Sequence, residues 1–414
     1  MALLSYDEAL TIILQNARPL EAVKVSTKRS NGYHLASDIV SLTEIPRFNN
    51  SQMDGFAVWF DDVRLASPEF PVRLLIVGVA AAGIDVPNAI KSGETTKIFT
   101  GAPLPSGADT IVPIEDVIVD GDGTFAVINT APKRQQFVRY KGEDVQYGEV
   151  VLAKGTHINA GRVALLLSCG QEFVEVYRRP RAVVLTNGDE LVDISTRPED
   201  LVGGQIYDSN GVMLSALVED AGAELAALLT IKDSRDQMKK ALLKLIQELN
   251  PDIIISTGGV SVGDRDFIRN VLGEIGQINF WRAAIRPGKP ILYASIGAVH
   301  FLGLPGNPAS TLVTFELFAR PLINRLKGSL ESRQTYRTQL TERVSHETGR
   351  TSFIRATTSL TKDGLRSAPA GGQGSHFVTS LARANSLIVL RDDTAFLEAG
   401  SFVDCLLLEQ PLSA

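Results

Sequence analysis

Between residues 181 and 326, short apolar runs alternate with helical periodicities, and no other feature of the chain restricts its fold so strongly. Strand-like runs occupy 181–190, 224–231 and 252–256. Helical spacing follows over 209–221 and 233–249, at Phe267, Ile268, Val271, Leu272 and Ile275, and over 309–326, where Asn307 and Pro308 supply a cap and first turn. Alternation of this kind predicts a doubly wound α/β domain with a parallel sheet. Ligands of such sheets gather beyond the carboxyl ends of the strands. At one of these ends stands Thr257-Gly258-Gly259-Val260-Ser261-Val262-Gly263-Asp264-Arg265-Asp266-Phe267. Gly258, Gly259 and Gly263 let backbone approach a ligand, and the N–H groups of the following helix start favour an anion.

The flanking sequence has a different character. Ser5 to Glu8 has the form of a capping box, followed at helical spacing by Leu10, Ile13 and Leu14. Short strand patterns separated by Gly, Pro and Asp turns run from 71 to 129 and again from 334 to 408, which predicts two β-rich domains. Short linkers fall near 45, 144, 179 and 328. The 414 residues allow two to four domains.

Composition excludes several classes of function. Lys plus Arg number 41 against 47 acids, a net charge of −6, so a nucleic-acid binder held by global charge is not expected. No apolar run reaches the length that spans a bilayer, and the first residues lack the basic start and apolar core of a signal peptide, which sets the expectation of a cytoplasmic protein. Cys169 and Cys405 read as reduced, buried thiols, and the five histidines have no metal-ligand spacing.

Asp189, Glu190, Asp233, Asp264 and Asp266 fall at successive strand ends beside the glycine loop. Bare carboxylates would repel a phosphate. A Mg²⁺ ion, held by one or two of them and by substrate phosphates, removes the conflict, although each acid taken singly could equally cap a helix. Trp281 to Arg286, read as a strand, projects Arg282 and Arg286 from one face, with Lys289 following in Arg286-Pro287-Gly288-Lys289-Pro290. Three cations in an acidic chain suit an oxyanion or phosphate-rich ligand; an exposed basic strand edge is the alternative. Prolines 287, 290, 305 and 308 stiffen these loops. In the first β-rich region, Asp54 stands in a polar turn, Thr100 in a Gly/Pro loop, and Arg139 and Asp144 in a run of alternating charge that could also be a solvated turn. The residues alone thus lead to a Mg²⁺-assisted site for a small, phosphate-bearing anion, without naming a reaction.

Seven motifs, in order, resemble the molybdopterin molybdenumtransferase family, which comprises the MoeA proteins of bacteria and the E domain of gephyrin. They are Asn50-Ser51-Gln52-Met53-Asp54-Gly55-Phe56-Ala57-Val58, Thr100-Gly101-Ala102-Pro103, Lys141-Gly142-Glu143-Asp144, Gly188-Asp189-Glu190-Leu191, Gly258-Gly259-Val260-Ser261-Val262-Gly263, Pro287-Gly288-Lys289-Pro290 and Leu304-Pro305-Gly306-Asn307-Pro308. The resemblance implies an elongated discontinuous domain over 1–45 and 145–178, a small β-rich domain over 46–144, a MogA-like α/β molybdopterin-binding domain over 179–328 and a β-barrel-like domain over 329–414. It implies a cytoplasmic homodimer with active sites at the subunit interface. The implied reaction inserts molybdate into adenylylated molybdopterin, with Mg²⁺-dependent release of AMP.

Carried onto this chain, the resemblance assigns the substrate to Arg139, Gly258, Gly259, Ser261, Gly263, Arg282, Pro305 and Pro308. It assigns Mg²⁺, or orientation of the attacking water, to Asp189, Glu190, Asp233 and Asp266. Molybdate falls to Arg286, Lys289, Pro290, Arg350, Thr379 and Ser380. Asp54, Thr100 and Asp144 join Glu190 and Asp266 in catalysis, with Asp54, Thr100, Arg139 and Asp144 supplied by the second subunit. Transient contact with the molybdopterin adenylyltransferase and with acceptor molybdoenzymes is a further implication. Arg282 and Arg286 stand where bacterial members often carry Lys, and Thr379 where some carry Ser; Arg keeps the charge but adds a planar fork.

Overall fold

In the α/β region, the computed structural model alternates seven principal elements, with a short strand pair (Leu191–Val192 and Ile206–Tyr207) inserted after the first: β1 (Arg181–Asn187), α1 (Ser209–Asp220), β2 (Glu224–Ile231), α2 (Arg235–Leu249), β3 (Ile253–Thr257), α3 (Phe267–Ile275) and β4 (Gln277–Trp281). Strands β5 (Leu292–Ile296) and β6 (Val299–Leu304) follow, then α4 (Pro308–Thr314), which runs through a π-helical turn (Phe315–Ala319) into α5 (Arg320–Leu326). The described residues are 3–83, 88–232, 234–259, 267–330 and 334–413. Asp233, Ser261, Gly263, Asp264 and Asp266 lie outside them.

The six strands are ordered β2-β1-β3-β6-β5-β4. Alternate residues of β1 face opposite sides: Ala182 and Val184 join a core with α1, α4 and α5, while Val183 and Leu185 join another with α2 and α3. Burial on both faces is why these strands read as unbroken apolar runs. The expectation of a wholly parallel sheet holds for β2, β1, β3 and β6, but β5 is reversed and pairs antiparallel with both β6 and β4. Gly297 takes a positive φ of 59° between Ile296 and Val299, making the two-residue hairpin that reverses the chain.

The N-terminal helix Tyr6–Asn16, closed by the Ser5–Glu8 capping box, buries Ala9 and Ile13 in the α/β core. Ala22–Ser26 pairs with Phe173–Tyr177 and Ile39–Val40 with Val150–Leu152, over a shared core that includes Leu35, Ile158 and Leu166. A separate six-stranded sheet spans Gly55–Val58 to Phe125–Ile128. In the last region Thr351–Thr361, Gly364–Pro369, Thr335–Leu340, Phe402–Leu407 and Ser386–Leu390 pair in a closed ring, a small barrel with its own core. Both cysteines are buried and unbridged. Among the described residues, no helix is long and apolar enough to cross a membrane.

One expectation is corrected. Residues 281–286 are not a single strand with Arg282 and Arg286 on one face. Arg282 takes φ 88°, which ends β4, and its amide turns to the Ile291 carbonyl. The chain then crosses to the barrel, where Ile285–Arg286 pairs in parallel with Thr351–Ser352.

Candidate active site

Strand order locates the site. From β1 the chain crosses to β2 on one side and later returns to β3 on the other, so the loops after β1 and β3 part at the switch point where open α/β sheets hold ligands. A cavity of ≈ 110 Å³ lies there, lined by Asn187, Glu190, Asn210, Thr257, Gly258 and Gly306. Its floor is backbone. Gly258 has φ 86°, and a Cβ on it would stand 2.5 Å from the Asn187 carbonyl oxygen. A Cβ on Gly306 would lie 3.5 Å from the Gly258 Cα, so the two loops meet without intervening side chains.

Hydroxyls and amides fix these loops. Thr257 Oγ1 donates to the Pro305 carbonyl at 3.0 Å, and Thr311 Oγ1 donates to the same oxygen at 2.6 Å. Asn210 Nδ2 donates to the Gly306 carbonyl at 2.6 Å, while Asn210 Oδ1 is buried without a partner among the described residues. Asp208 caps α1, accepting from the Gly211 amide at 2.8 Å and from Thr186 Oγ1 at 2.7 Å. Asp208 and Asn210 were not singled out from sequence, where Asp-Ser-Asn ahead of a helix reads as a cap alone; its position at a strand end was the available signal. Beyond Asp208 opens a larger cleft of ≈ 690 Å³, walled by Leu191, Ile194, Tyr207, Val212 and Leu228.

Asp189 and Glu190 are exposed in the turn after β1, Glu190 on the cavity wall. Hard oxygen donors beside a cradle of glycine backbone match the demands of Mg²⁺, which takes one or two carboxylates and completes its shell with phosphate and water. Among the described residues, no cluster of three potential ligands forms a ready-made metal cage.

The second half of the site is the 286–290 loop. Gly288, with φ 106°, fits so closely on α4 that a Cβ would stand 2.3 Å from Thr314 Cγ2. This places the loop on the helix that Pro305 and Pro308 introduce. Lys289 is exposed, and its carbonyl accepts from the Ala283 and Ile291 amides. Arg286 pairs with Glu347, whose carboxyl is held below the ordinary range first by the bond to Arg286 and by its charge, then by the charge of Arg350. Pairing of Ile285–Arg286 with Thr351–Ser352 sets Ser352 opposite Arg286, and Glu347 feels the charges of both Arg286 and Arg350. Arg282 points to a different neighbour, its guanidinium 4.0 Å from the centre of the Trp281 ring.

The 371–380 loop reaches the same helix start. Asn307 Nδ2 donates to Ser375 Oγ at 3.0 Å, and the Ala309 amide to the Ser375 carbonyl at 3.2 Å. Thr379 is exposed, whereas Ser380 is buried, its hydroxyl accepting from Arg355 and donating to the Phe377 carbonyl. Ser375, not singled out from sequence, is thus the hydroxyl of this loop that faces the α/β domain.

Asp54, Thr100 and Arg139 are brought together elsewhere. Asp54 Oδ1 accepts from the Thr100 amide at 2.8 Å and from its hydroxyl at 2.7 Å, contacts that hold the carboxyl below its ordinary range. Arg139 pairs with Asn50, and the Gly101 amide donates to the Ser51 carbonyl. Asp144 sits at the neighbouring crossing, its amide bound to the Ile45 carbonyl. Among the described residues, no hydrogen bond or ion pair links these four side chains to the cavity at Gly258.

Comparison with known proteins covers nearly the whole chain. Residues 4–170 match the MoeA N-terminal region (domains I and II), 183–325 a probable molybdopterin binding domain, and 337–408 the MoeA C-terminal region (domain IV). A molybdopterin molybdenumtransferase of Haemophilus influenzae is 34% identical over 405 residues, covering 97% of this chain and 98% of the relative. One from a Nostoc species is 37% identical over 392 residues, covering 92% and 87%. The solved structure of a molybdopterin biosynthesis MoeA protein from Pyrococcus horikoshii superposes with a TM-score of 0.83 at 28% identity, over 99% of this chain and 100% of that one.

Proposed function

The chain belongs to the molybdopterin molybdenumtransferase family, transferases of molybdenum cofactor biosynthesis, and from that premise we propose that it inserts molybdate into adenylylated molybdopterin with Mg²⁺-dependent release of AMP. The observation that carries this is the convergence on one helix, α4, of a side-chain-free glycine cradle and a loop bearing Arg286 and Lys289. A pyrophosphate needs close backbone approach, and an oxyanion needs fixed cations.

In this proposal the backbone at Gly258, Gly259 and Gly306 receives the phosphates, together with Ser261 and Gly263, which lie outside the described residues. Asn210 Oδ1, buried and without a partner among the described residues, offers an acceptor to a substrate hydroxyl or amine. Mg²⁺, held by Asp189 and Glu190 with Asp233 and Asp266 as further candidates, supplies charge neutralisation at the pyrophosphate. Glu190 orients the water that attacks phosphorus. The scissile oxygen leaves on one phosphate, the incoming hydroxyl ends on the other, and AMP departs. Arg286, Lys289 and Arg350 hold molybdate beside the dithiolene, with Pro290 fixing the end of the loop and Ser375 now added to Thr379 and Ser380. Arg282, directed toward Trp281, serves the substrate's outer part.

The protein acts in this reading as a cytoplasmic homodimer. Asp54, Thr100, Arg139 and Asp144 make no bond to their own cavity among the described residues, which suits service at the cavity of a second copy. The adenylyltransferase that makes the substrate and the enzymes that accept the cofactor are its transient partners. The test is incubation of purified protein with adenylylated molybdopterin, molybdate and Mg²⁺, followed by reconstitution of a cofactor-free molybdoenzyme. Activity that depends on this protein and on molybdate is expected; reconstitution equal to that of a protein-free control would refute the proposal.

A further inference from the structure

Glu347 holds a negative charge where the proposed reaction needs an oxyanion. Its carboxylate accepts from Arg286 Nη2, and it also lies within the field of Arg350. Both cations belong to the set proposed to hold molybdate, so the chain itself supplies them with an anion. The two partners differ in freedom. Arg286 sits on a loop seated against Thr314 through Gly288, and its side chain is 31% exposed, whereas that of Glu347 is 80% exposed. The carboxylate can therefore swing into water while the guanidinium stays in place.

Backbone on either side of Glu347 is anchored, so such an exchange moves a side chain and leaves the loop where it is. The His346 amide donates to the Ala395 carbonyl, His346 Nε2 donates to the Thr394 carbonyl, and Nδ1 of the same ring meets Ser352 Oγ at 2.6 Å. Ser352 is also the residue opposite Arg286. Beyond the tip, the Gly349 amide donates to the Asp392 carbonyl, with Gly349 at φ 86°. Between these anchors lie Glu347 and Thr348, both exposed. An exposed ion pair adds little to stability. Joining the barrel to the 286–290 loop is also not its main effect, because the pairing of Ile285–Arg286 with Thr351–Ser352 already does that.

We propose that Glu347 is a displaceable counter-ion: it occupies Arg286 until molybdate takes its place, and so sets the molybdate concentration at which the site fills. This rests on the assignment of molybdate to the 286–290 loop. A carboxylate and an oxyanion on one guanidinium repel each other, so each weakens the other's hold. Filling the site costs the contact between Arg286 and Glu347, which for an exposed pair corresponds to about fivefold in affinity.

The test is equilibrium binding of molybdate to the full-length protein, with AMP binding and thermal unfolding recorded alongside. Glu347→Gln keeps the shape and removes the charge, and is expected to bind molybdate about fivefold more tightly while AMP binding is unchanged. Glu342, an exposed acid on the same stretch with no ion pair among the described residues, controls for net charge. Glu342→Gln should stay within about twofold of the wild type. Molybdate binding in Glu347→Gln no tighter than in the wild type would overturn the inference, as would an equal gain in Glu342→Gln or a gain matched for AMP. Lys289→Ala separates it from its premise: if that variant binds molybdate as well as the wild type, the assignment of the loop itself fails.

Discussion

Two residues show how local chemistry sets limits that the fold must respect. Gly258 combines φ 86° with a Cβ position only 2.5 Å from the Asn187 carbonyl oxygen. Gly258→Ala is therefore expected to cost about 1–3 kcal/mol and to move the β1 and β3 loops apart, lowering turnover more than overall stability. Turnover retained at the wild-type level would show that the cradle is not where phosphate binds. His34 lies far from the cavity, 3% exposed, its ring 5.0 Å from that of His157. Burial first, then the charges of Lys327 and His157, depress its pKa from 6.5 to about 4. The folded protein thus holds His34 neutral where the unfolded chain takes up a proton. Its stability contribution is intact above pH 6.5 and is lost as pH falls toward 4, by about 3 kcal/mol in full. Chemical denaturation from pH 7 to 4.5 should show His34→Gln losing less stability than the wild type; parallel curves would contradict the assignment.

At the level of elements, an aromatic contact adds to the strand pairing and hydrogen bonds that join barrel to α/β domain. Tyr6 of the N-terminal helix stands edge-on to Phe318 at 5.7 Å and to Phe353 of the barrel at 5.3 Å. Phe353→Ala should cost about 3–5 kcal/mol and loosen the barrel from the N-terminal helix, seen as faster amide exchange across 351–361. Exchange confined to its wild-type rate there would mean that other contacts carry the docking. How much of this was legible beforehand depended on range. The β1 to α3 alternation was, because periods of 2 and 3.6 are written locally, and the glycine loop announced its place by following β3. The bend at Arg282 was not, since an Arg at φ 88° has no sequence signal. Nor was the handover of Ile285–Arg286 to the barrel, because pairing with Thr351–Ser352 links residues far apart in the chain. Asn210 and Ser375 became visible as site residues only once Gly306 and Asn307 were seen to touch them.

For the whole molecule, the two groups of site residues belong to separate regions of one chain. Asp54 with Thr100 forms one, and the cavity with the 286–290 loop forms the other. If a homodimer joins them across its interface, Asp54→Ala and Glu190→Ala should each be inactive, yet refolding them together in equal amounts should restore about a quarter of wild-type activity. Half the dimers are then mixed, and each mixed dimer keeps one intact site of two. No recovery on mixing would place both groups in one subunit's site. In the proposed reaction, pyrophosphate cleavage and molybdate uptake occur as one act beside α4. Its most direct test is quantification of AMP released from adenylylated molybdopterin in Mg²⁺, with and without molybdate. Release should require molybdate and match the metal incorporated one for one; equally fast release without molybdate would rule the coupled reaction out.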